Sequence, residues 1–104
     1  MHDMLAKSKA YTVVLLRATR QRDDPAADRI VWEHGRRNFE LRASGVLAIV
    51  CPVTDDSEWS GIAIFDASPE EVAAIMDGDP GVQAGIFTYE AHPVRGFPGS
   101  VLPG

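Results

Sequence analysis

Residues 45–65 read GVLAIVCPVTDDSEWSGIAIF, and this stretch decides the fold. Residues 46–51 form an uninterrupted apolar run that ends at Pro52, and residues 61–65 form a second apolar run. The acidic segment between them, residues 54–60, is typical of a surface connection. Two apolar runs joined by a short polar loop predict two antiparallel strands that pair as a hairpin.

Helix signals lie on both sides of this hairpin. On the N-terminal side, Asp24 can cap a helix and Pro25 suits its first position, because the missing N–H of proline is not needed there. Gly45 suits the end of that helix, since glycine readily adopts a left-handed conformation. On the C-terminal side, Ser68 stands three residues before Glu71, which is the spacing of a capping box. One helix therefore precedes the hairpin, and a second follows it and ends before Asp79.

The outermost apolar runs supply two more strands. Residues 11–18 and 86–91 predict the first and last strands, and the segment from residue 92 onward, which contains Pro93, is expected to be an extended tail. The order βαββαβ predicts an α+β domain of ferredoxin-like type, with a four-stranded antiparallel sheet and two helices on one face.

The first strand is apolar on both of its faces. Val13 and Leu15 point to one side of the sheet, whereas Val14 and Leu16 point to the other. Two helices on one face cover only one of these sets. We therefore expect a homodimer in which a second copy packs on the face that the helices leave open.

Charge composition argues against a nucleic-acid partner. The chain has 15 acidic and 10 basic residues and a formal net charge of -5, whereas phosphate binding needs clustered Lys and Arg. The basic cluster Arg36, Arg37 and Arg42 is interleaved with Glu33 and Glu40. We interpret it as a solvated helix face with local charge pairs, and we predict no nucleic-acid binding.

Cofactor, metal and membrane signals are absent from the sequence. The lone Cys51 cannot form an intramolecular disulfide, and it is interpreted as a small hydrophobic residue and not a nucleophile. His2, His34 and His92 lack metal-ligand spacing, and no Gly-rich loop follows a strand and opens a helix. No apolar run reaches signal-peptide or membrane-spanning length, so the expected location is cytoplasmic. We predict neither cofactor nor metal.

The candidate catalytic residue is His34. On a helical wheel it lies near the middle of the apolar face that includes Ile30 and Leu41, whereas Trp32 and Phe39 form a second strip on the far side. That strip is either covered by a loop or partner subunit or left exposed. Imidazole moves protons near neutral pH, and a carboxylate can orient it.

Three other residues are candidates for the same site. Asp79 is the candidate carboxylate partner of His34, although a core histidine and a turn aspartate would give the same pattern. Asn38 lies one helical turn beyond His34 and is a candidate to hold a substrate carbonyl, or else a buried amide bonded to the sheet. Arg17 ends the first strand and is a candidate to bind an anionic substrate group, or else an exposed arginine.

The combination of these residues resembles the YCII-related family. The resemblance is carried by His34, by SGVL at 44–47, by DPGVQAG at 79–85 and by EAHP at 90–93, and it spans residues 11–97. It implies a ferredoxin-like subunit that forms a dimeric α/β barrel, with an active site built from His34 and Asp79. Residues 1–10 then form an N-terminal extension and residues 98–104 a C-terminal tail.

The resemblance also implies a reaction class. Members with a proposed role are similar to isomerases and dehalogenating lyases that act on small organic acids or lactones. We therefore predict a cofactor-independent enzyme of isomerase or lyase type, in which His34 and Asp79 carry out acid–base chemistry on a small acid, lactone or ketone. The alternative is a non-catalytic module that binds a small metabolite.

Overall fold

The fold is taken from a computed structural model, which describes residues 2–104. Four strands and four α-helices follow one another along the chain, with a short 3₁₀ helix, Arg20–Asp23, after the first strand. In chain order they are α1 (His2–Ala6), β1 (Lys9–Ala18), α2 (Ala27–Ala43), β2 (Leu47–Pro52), β3 (Trp59–Phe65), α3 (Pro69–Asp77), α4 (Pro80–Gln83) and β4 (Phe87–Gly96).

The four strands form one antiparallel sheet in the order β2-β3-β1-β4. β2 and β3 pair as the predicted hairpin, with Cys51 opposite Ile62. β1 lies in the centre, where it pairs with β3 on one side and with β4 along its whole length, from Lys9 opposite Gly96 to Ala18 opposite Phe87. The predicted α+β, ferredoxin-like architecture is confirmed, whereas the dimeric barrel stays a prediction.

The core lies between the sheet and the helices. Thr12, Val14 and Leu16 alternate along β1 and are buried, so this face of the sheet meets the helices. The Thr12 hydroxyl donates to the carbonyl of Ala67 at 2.8 Å, which satisfies the polar group in this setting. The buried apolar side chains of the core are Val14, Leu16, Ala27, Leu47, Phe65, Val72, Met76, Ile86 and Phe87.

The start of α3 agrees with the predicted capping, whereas α2 starts later than predicted. At α3, Ser68 accepts from the Glu71 amide while the Glu71 side chain accepts from the Ser68 amide, so the predicted capping box is confirmed. The first long helix was predicted to begin at Pro25, but α2 begins at Ala27. The reason is that Asp24 accepts from the Ala26 amide at 2.9 Å and closes a separate turn before the regular helix.

The last strand is longer than the sequence predicted. The predicted strand stopped at residue 91, but β4 continues to Gly96 and includes Pro93, so this part of the expected tail belongs to the sheet. Among the described strands, β4 lies at one edge of the sheet and β1 is its only partner. A proline is tolerated there because its missing N–H can face away from the neighbouring strand.

Three short helices and a two-residue extension of a strand were not predicted. The helices are α1, the 3₁₀ helix that Thr19 caps, and α4, and the extension is the start of β1. Each is too short to show a helical or strand period in the sequence. Between His2 and Gly104, no helix combines the length and the apolar character that crossing a bilayer requires.

Candidate active site

The position of His34 follows from the apolar face of α2. Ile30, Val31 and Leu41 pack against the core, and this orientation turns the intervening His34 toward the sheet. Its side chain is 12% exposed. The sequence prediction that His34 lies on the buried face of this helix is confirmed.

Asp79 is held by the start of α4. Its carboxylate oxygen Oδ2 accepts from the backbone amides of Gly81, at 2.9 Å, and Val82, at 3.2 Å. Pro80 occupies the first turn of the helix, where its missing N–H leaves no bond unmade. The Asp79 side chain is 1% exposed, so this capping arrangement fixes a carboxylate inside the protein.

The two side chains meet at hydrogen-bond distance. His34 Nδ1 lies 2.8 Å from Asp79 Oδ1 and 2.9 Å from Asp79 Oδ2, which confirms the predicted contact. A carboxylate only accepts hydrogen bonds, so Nδ1 carries a proton and donates it. The bond fixes the tautomer of the neutral ring and leaves a lone pair on Nε2 that can accept a hydrogen bond.

The environment of Asp79 favours its ionised form. Burial alone raises the pKa of the Asp79 carboxyl, but the hydrogen bond and charge of His34 lower it, and the amides of Val82 and Gly81 lower it further. The net result is a pKa below the ordinary aspartate value. Asp79 is therefore a carboxylate that can orient His34 and stabilise a positive charge on it.

Asn38 lies next to the second nitrogen of the ring. Its amide Nδ2 is 3.3 Å from His34 Nε2, one turn along the same helix. Rotating the amide would present its oxygen instead, so one side chain can donate to a neutral ring or accept from a protonated one. Asn38 thus contacts the atom of His34 that faces away from Asp79.

Phe87 supports the ring from the sheet. Its ring centroid lies 4.8 Å from that of His34 at an angle of 44°. Phe87 in turn packs against Gly81, where an added Cβ would lie 2.5 Å from Phe87 Cδ2. The missing side chain of Gly81 therefore creates the space that Phe87 fills, and Phe87 limits the tilt of His34.

A cleft beside α2 gives access to the His34–Asn38 pair. On the helix side of the sheet it is lined by His34, Asn38, Arg42, Val50 and Ala63, and we call this part the α2 cleft. The α2 cleft is continuous with a larger open volume of about 880 Å³, which is also lined by Ile62 and other residues of the opposite sheet face. The α2 cleft is therefore only part of that volume, and it is the part that reaches His34.

Comparison with known families places these residues in a wider context. The family model of the YCII-related domain matches residues 11–97. The chain belongs to the YCII-related family. No curated protein matches it.

A solved structure resembles this YCII-related chain. It is 5-chloro-2-hydroxyhydroquinone dehydrochlorinase (TftG) from Burkholderia phenoliruptrix AC1100, in complex with 2,5-dihydroxybenzoquinone. The two chains are 18% identical and superpose with a TM-score of 0.54, over 79% of this chain and 90% of that one. At this level of identity the likeness shows a common fold.

Arg17 is not part of the His34–Asp79 site in this YCII-related chain. It alternates with the buried residues of β1 and so lies on the opposite face of the sheet. There its guanidinium contacts Glu58 at 3.0 Å and Glu90 at 3.2 Å, and it stacks on the Trp59 ring at 4.2 Å. Its role in substrate binding stays a prediction that this geometry does not favour.

The basic cluster of α2 is only partly the solvated face that was predicted. Arg36 does form the expected charge pairs with Glu33 and Glu40. The interpretation is wrong for Arg37, whose Nη1 is buried 3.7 Å from Asp79 Oδ1 without a hydrogen bond among the described residues. Arg42 is exposed, as predicted, and it also lines the α2 cleft.

His92 and Cys51 both lie outside this site. His92 belongs to β4 and not to a tail, and its Nε2 lies 3.4 Å from Glu90. Cys51 is half-buried at the end of β2. Across residues 2–104, no three His, Cys, Asp or Glu side chains lie close enough to hold one metal ion.

Sequence reasoning missed Phe87 and Arg37 as parts of the site. Arg37 had a usable signal, because it follows His34 by three residues and neighbours it on the helix surface. Phe87 had none, because its contact with His34 depends on how β4 packs beneath α2. The two residues add an aromatic support and a cation to the predicted pair.

Proposed function

We propose that the chain is a cofactor-independent enzyme of isomerase or lyase type that acts on a small organic acid, lactone or ketone. One observation carries the proposal. His34 donates through Nδ1 to the buried carboxylate of Asp79, and its Nε2 is directed to Asn38 and the α2 cleft. This is the arrangement of a general base and the carboxylate that orients it.

The proposed step begins with proton transfer to His34. Nε2 removes a proton from a carbon next to a carbonyl, and the electrons of the C–H bond move toward the carbonyl oxygen to give an enolate. In an isomerase the imidazolium returns the proton to another carbon. In a lyase the electrons instead expel a leaving group from the adjacent carbon, and a carbon–carbon double bond forms.

Asp79 and Asn38 have separate roles in this proposal. Asp79 stabilises the imidazolium that forms, and it is suited to this because its pKa is lowered and it remains ionised. Asn38 binds the carbonyl oxygen through Nδ2 once the substrate displaces its contact with Nε2. A hydrogen bond aimed at the oxygen on which charge develops favours the enolate.

The likeness to TftG is consistent with an enzyme on this fold. That protein is, by its name, a dehydrochlorinase, and it was solved with a small hydroxylated quinone. The family and the fold support an enzyme in a general sense. The proposed reaction and the roles of His34 and Asp79 rest on the geometry of the pair.

Deuterium exchange at activated carbons tests the proposal before the natural substrate is known. Small ketones, lactones and dihydroxyquinones are incubated with the protein in D₂O, and loss of the C–H signal is followed by NMR. We expect catalysed exchange with at least one class of compound. His34→Ala should slow it by about 100-fold or more, as expected for the loss of a general base.

The matched control is His92→Ala, which removes a histidine from the sheet outside the site. This variant should exchange protons at the rate of the unchanged protein. A folded His34→Ala variant that retains full exchange would remove His34 from the mechanism. Exchange that His92→Ala also abolishes would indicate a different site.

A non-catalytic binding module is the second candidate function. The observation that favours it is the Asn38 amide, which already occupies Nε2 at 3.3 Å and must move before that nitrogen can accept a proton. A binding module would bind small carbonyl compounds in the α2 cleft without exchanging their protons. Saturable binding with exchange at the uncatalysed rate would favour this function.

We also propose that two copies pair through the sheet face opposite the helices. Val13, Leu15 and Ile64 lie on that face and are half-buried, and Ile62 is 40% exposed. Sedimentation velocity at micromolar concentration should give a dimer, and Ile62→Lys should weaken it. A monomer, or a dimer that Ile62→Lys leaves intact, would contradict this pairing.

A further inference from the structure

The charged residues that line the α2 cleft and the volume continuous with it are all basic. The chain as a whole carries 15 acidic and 10 basic residues. The described residues that line this volume nevertheless include three arginines, Arg22, Arg42 and Arg95, and neither Asp nor Glu. A cavity lined by one sign of charge attracts ligands of the opposite sign.

Two of these three arginines are already paired. Arg22 Nη1 lies 3.3 Å from an oxygen of Asp28. Arg95 donates to the hydroxyl of Ser8 at 2.7 Å and to its carbonyl at 2.9 Å. Within residues 2–104, Arg42 has neither an ion pair nor a side-chain hydrogen bond, so its donors are available to a ligand.

Arg42 shares one helix stripe with His34 and Asn38. The three residues are spaced by four along α2 and all line the α2 cleft. A helix rises about 1.5 Å per residue, so the backbones of His34 and Arg42 are roughly 12 Å apart. Side chains on a helix lean toward its N-terminus, which brings the long Arg42 side chain back toward Asn38.

We infer that Arg42 binds an anionic group of the ligand and that the α2 cleft selects small anions, carboxylates above all. The ligand then spans the stripe, with its charged group at Arg42, a polar oxygen at Asn38 and its reacting carbon at His34. Placing the reacting carbon at His34 rests on the proposed function, whereas binding of the anion at Arg42 does not. A planar guanidinium can contact both oxygens of a carboxylate at once.

A matched pair of probes tests this selection. The probes are 2,5-dihydroxybenzoate and 2,5-dihydroxybenzamide, which have similar shape and differ in one negative charge. Their dissociation constants are measured by NMR titration, using amide signals of α2, at low and at high salt. The unchanged protein should bind the benzoate about tenfold or more tightly than the benzamide, and added salt should reduce this preference.

Variants of α2 assign the preference to a residue. Arg42→Gln should weaken benzoate binding about tenfold and leave benzamide binding unchanged, whereas Arg42→Lys should retain part of the preference because it keeps the charge. The control is Arg29→Gln, which removes an exposed arginine of the same helix outside the cleft. It should bind both probes like the unchanged protein.

Each result bears on the inference separately from the proposed function. The inference is overturned if the unchanged protein does not bind the benzoate, binds both probes equally, or loses no preference in Arg42→Gln. It is also overturned if Arg29→Gln has the same effect as Arg42→Gln. A preference that depends on Arg42 supports it even when no proton exchange is observed, and that combination rejects only the enzymatic function.

Discussion

The two halves of the His34–Asp79 pair are built differently. Asp79 caps the four-residue helix α4, where two amides bind its carboxylate and Gly81 touches Phe87. His34 lies on the long helix α2 beside a cleft, and a Cβ added at the neighbouring Gly35 would meet none of the described residues within 4 Å beyond the adjacent backbone of its own helix. The Asp79 side is therefore closely packed, whereas the His34 side leaves space for a ligand.

The largest difference should appear when each partner is removed. Asp79→Ala leaves the amides of Gly81 and Val82 and the His34 ring without their acceptor, and we expect a loss of about 3 kcal/mol in unfolding free energy. His34→Ala should cost about 1 kcal/mol, because Asp79 keeps both amides. Urea unfolding of the two variants measures both values, and equal losses would contradict the comparison.

Gly81→Ala should destabilise the Asp79 side by about 2 kcal/mol. An added Cβ would lie 2.5 Å from one ring carbon of Phe87 and 3.1 Å from Asp79 Oδ2. Overpacking of this kind forces neighbouring groups to shift. Thermal unfolding measures the loss, and NMR shifts of the His34 ring report the displaced Phe87. Unchanged stability would mean that α4 is less closely packed than described.

Gly35→Ala should have the opposite sign. Glycine inside a helix is less favourable than alanine by about 1 kcal/mol, and the Cβ at this position meets no neighbour. We therefore expect a stabilisation of up to about 1 kcal/mol in the same thermal measurement. A loss of stability would show that the His34 side is more closely packed than the comparison states.

The smallest expected effect is a difference in acid sensitivity. The pKa of Asp79 is lower in the folded protein than its ordinary value, so the unfolded chain binds this proton more readily. The stabilisation is complete above about pH 4 and is lost as the pH falls through the lower folded-state value. Asp79→Asn should therefore lose less stability than the unchanged protein between neutral pH and pH 3.

The control for this measurement is Asp56→Asn, which changes an exposed aspartate of the β2–β3 loop. Its pH dependence should match that of the unchanged protein. If Asp79→Asn has the same acid sensitivity as the unchanged protein and Asp56→Asn, ionised Asp79 does not stabilise the folded state.

Local signals explain why much of the fold was predictable. The capping box of Ser68 and Glu71 and the β2–β3 hairpin depend on residues close in sequence, and both are confirmed. The contact between His34 and Asp79 joins residues far apart in sequence, so spacing alone left it open. It was the resemblance to a family that paired them.

The missed features depend on neighbours that the sequence does not show. The sequence around Pro93 predicts an extended tail, yet a proline is acceptable at the sheet edge where this residue lies. Asp79-Pro80 was read as following a helix stop, although an aspartate before a proline also begins helices. Arg42 is exposed as predicted, but the cleft that it lines could not be predicted, because it exists only once α2 has packed on the sheet.

The pairing of β1 with β4 has a consequence for how the chain folds. Lys9 lies opposite Gly96, so two strands that are far apart in the sequence must meet to complete the sheet. Contacts between distant residues close large loops, and this slows folding relative to folds built from local contacts. During synthesis, the residues of β4 must emerge before the second neighbour of β1 is available. Phe87 begins that strand, so the support beneath His34 depends on the pairing of β1 with β4.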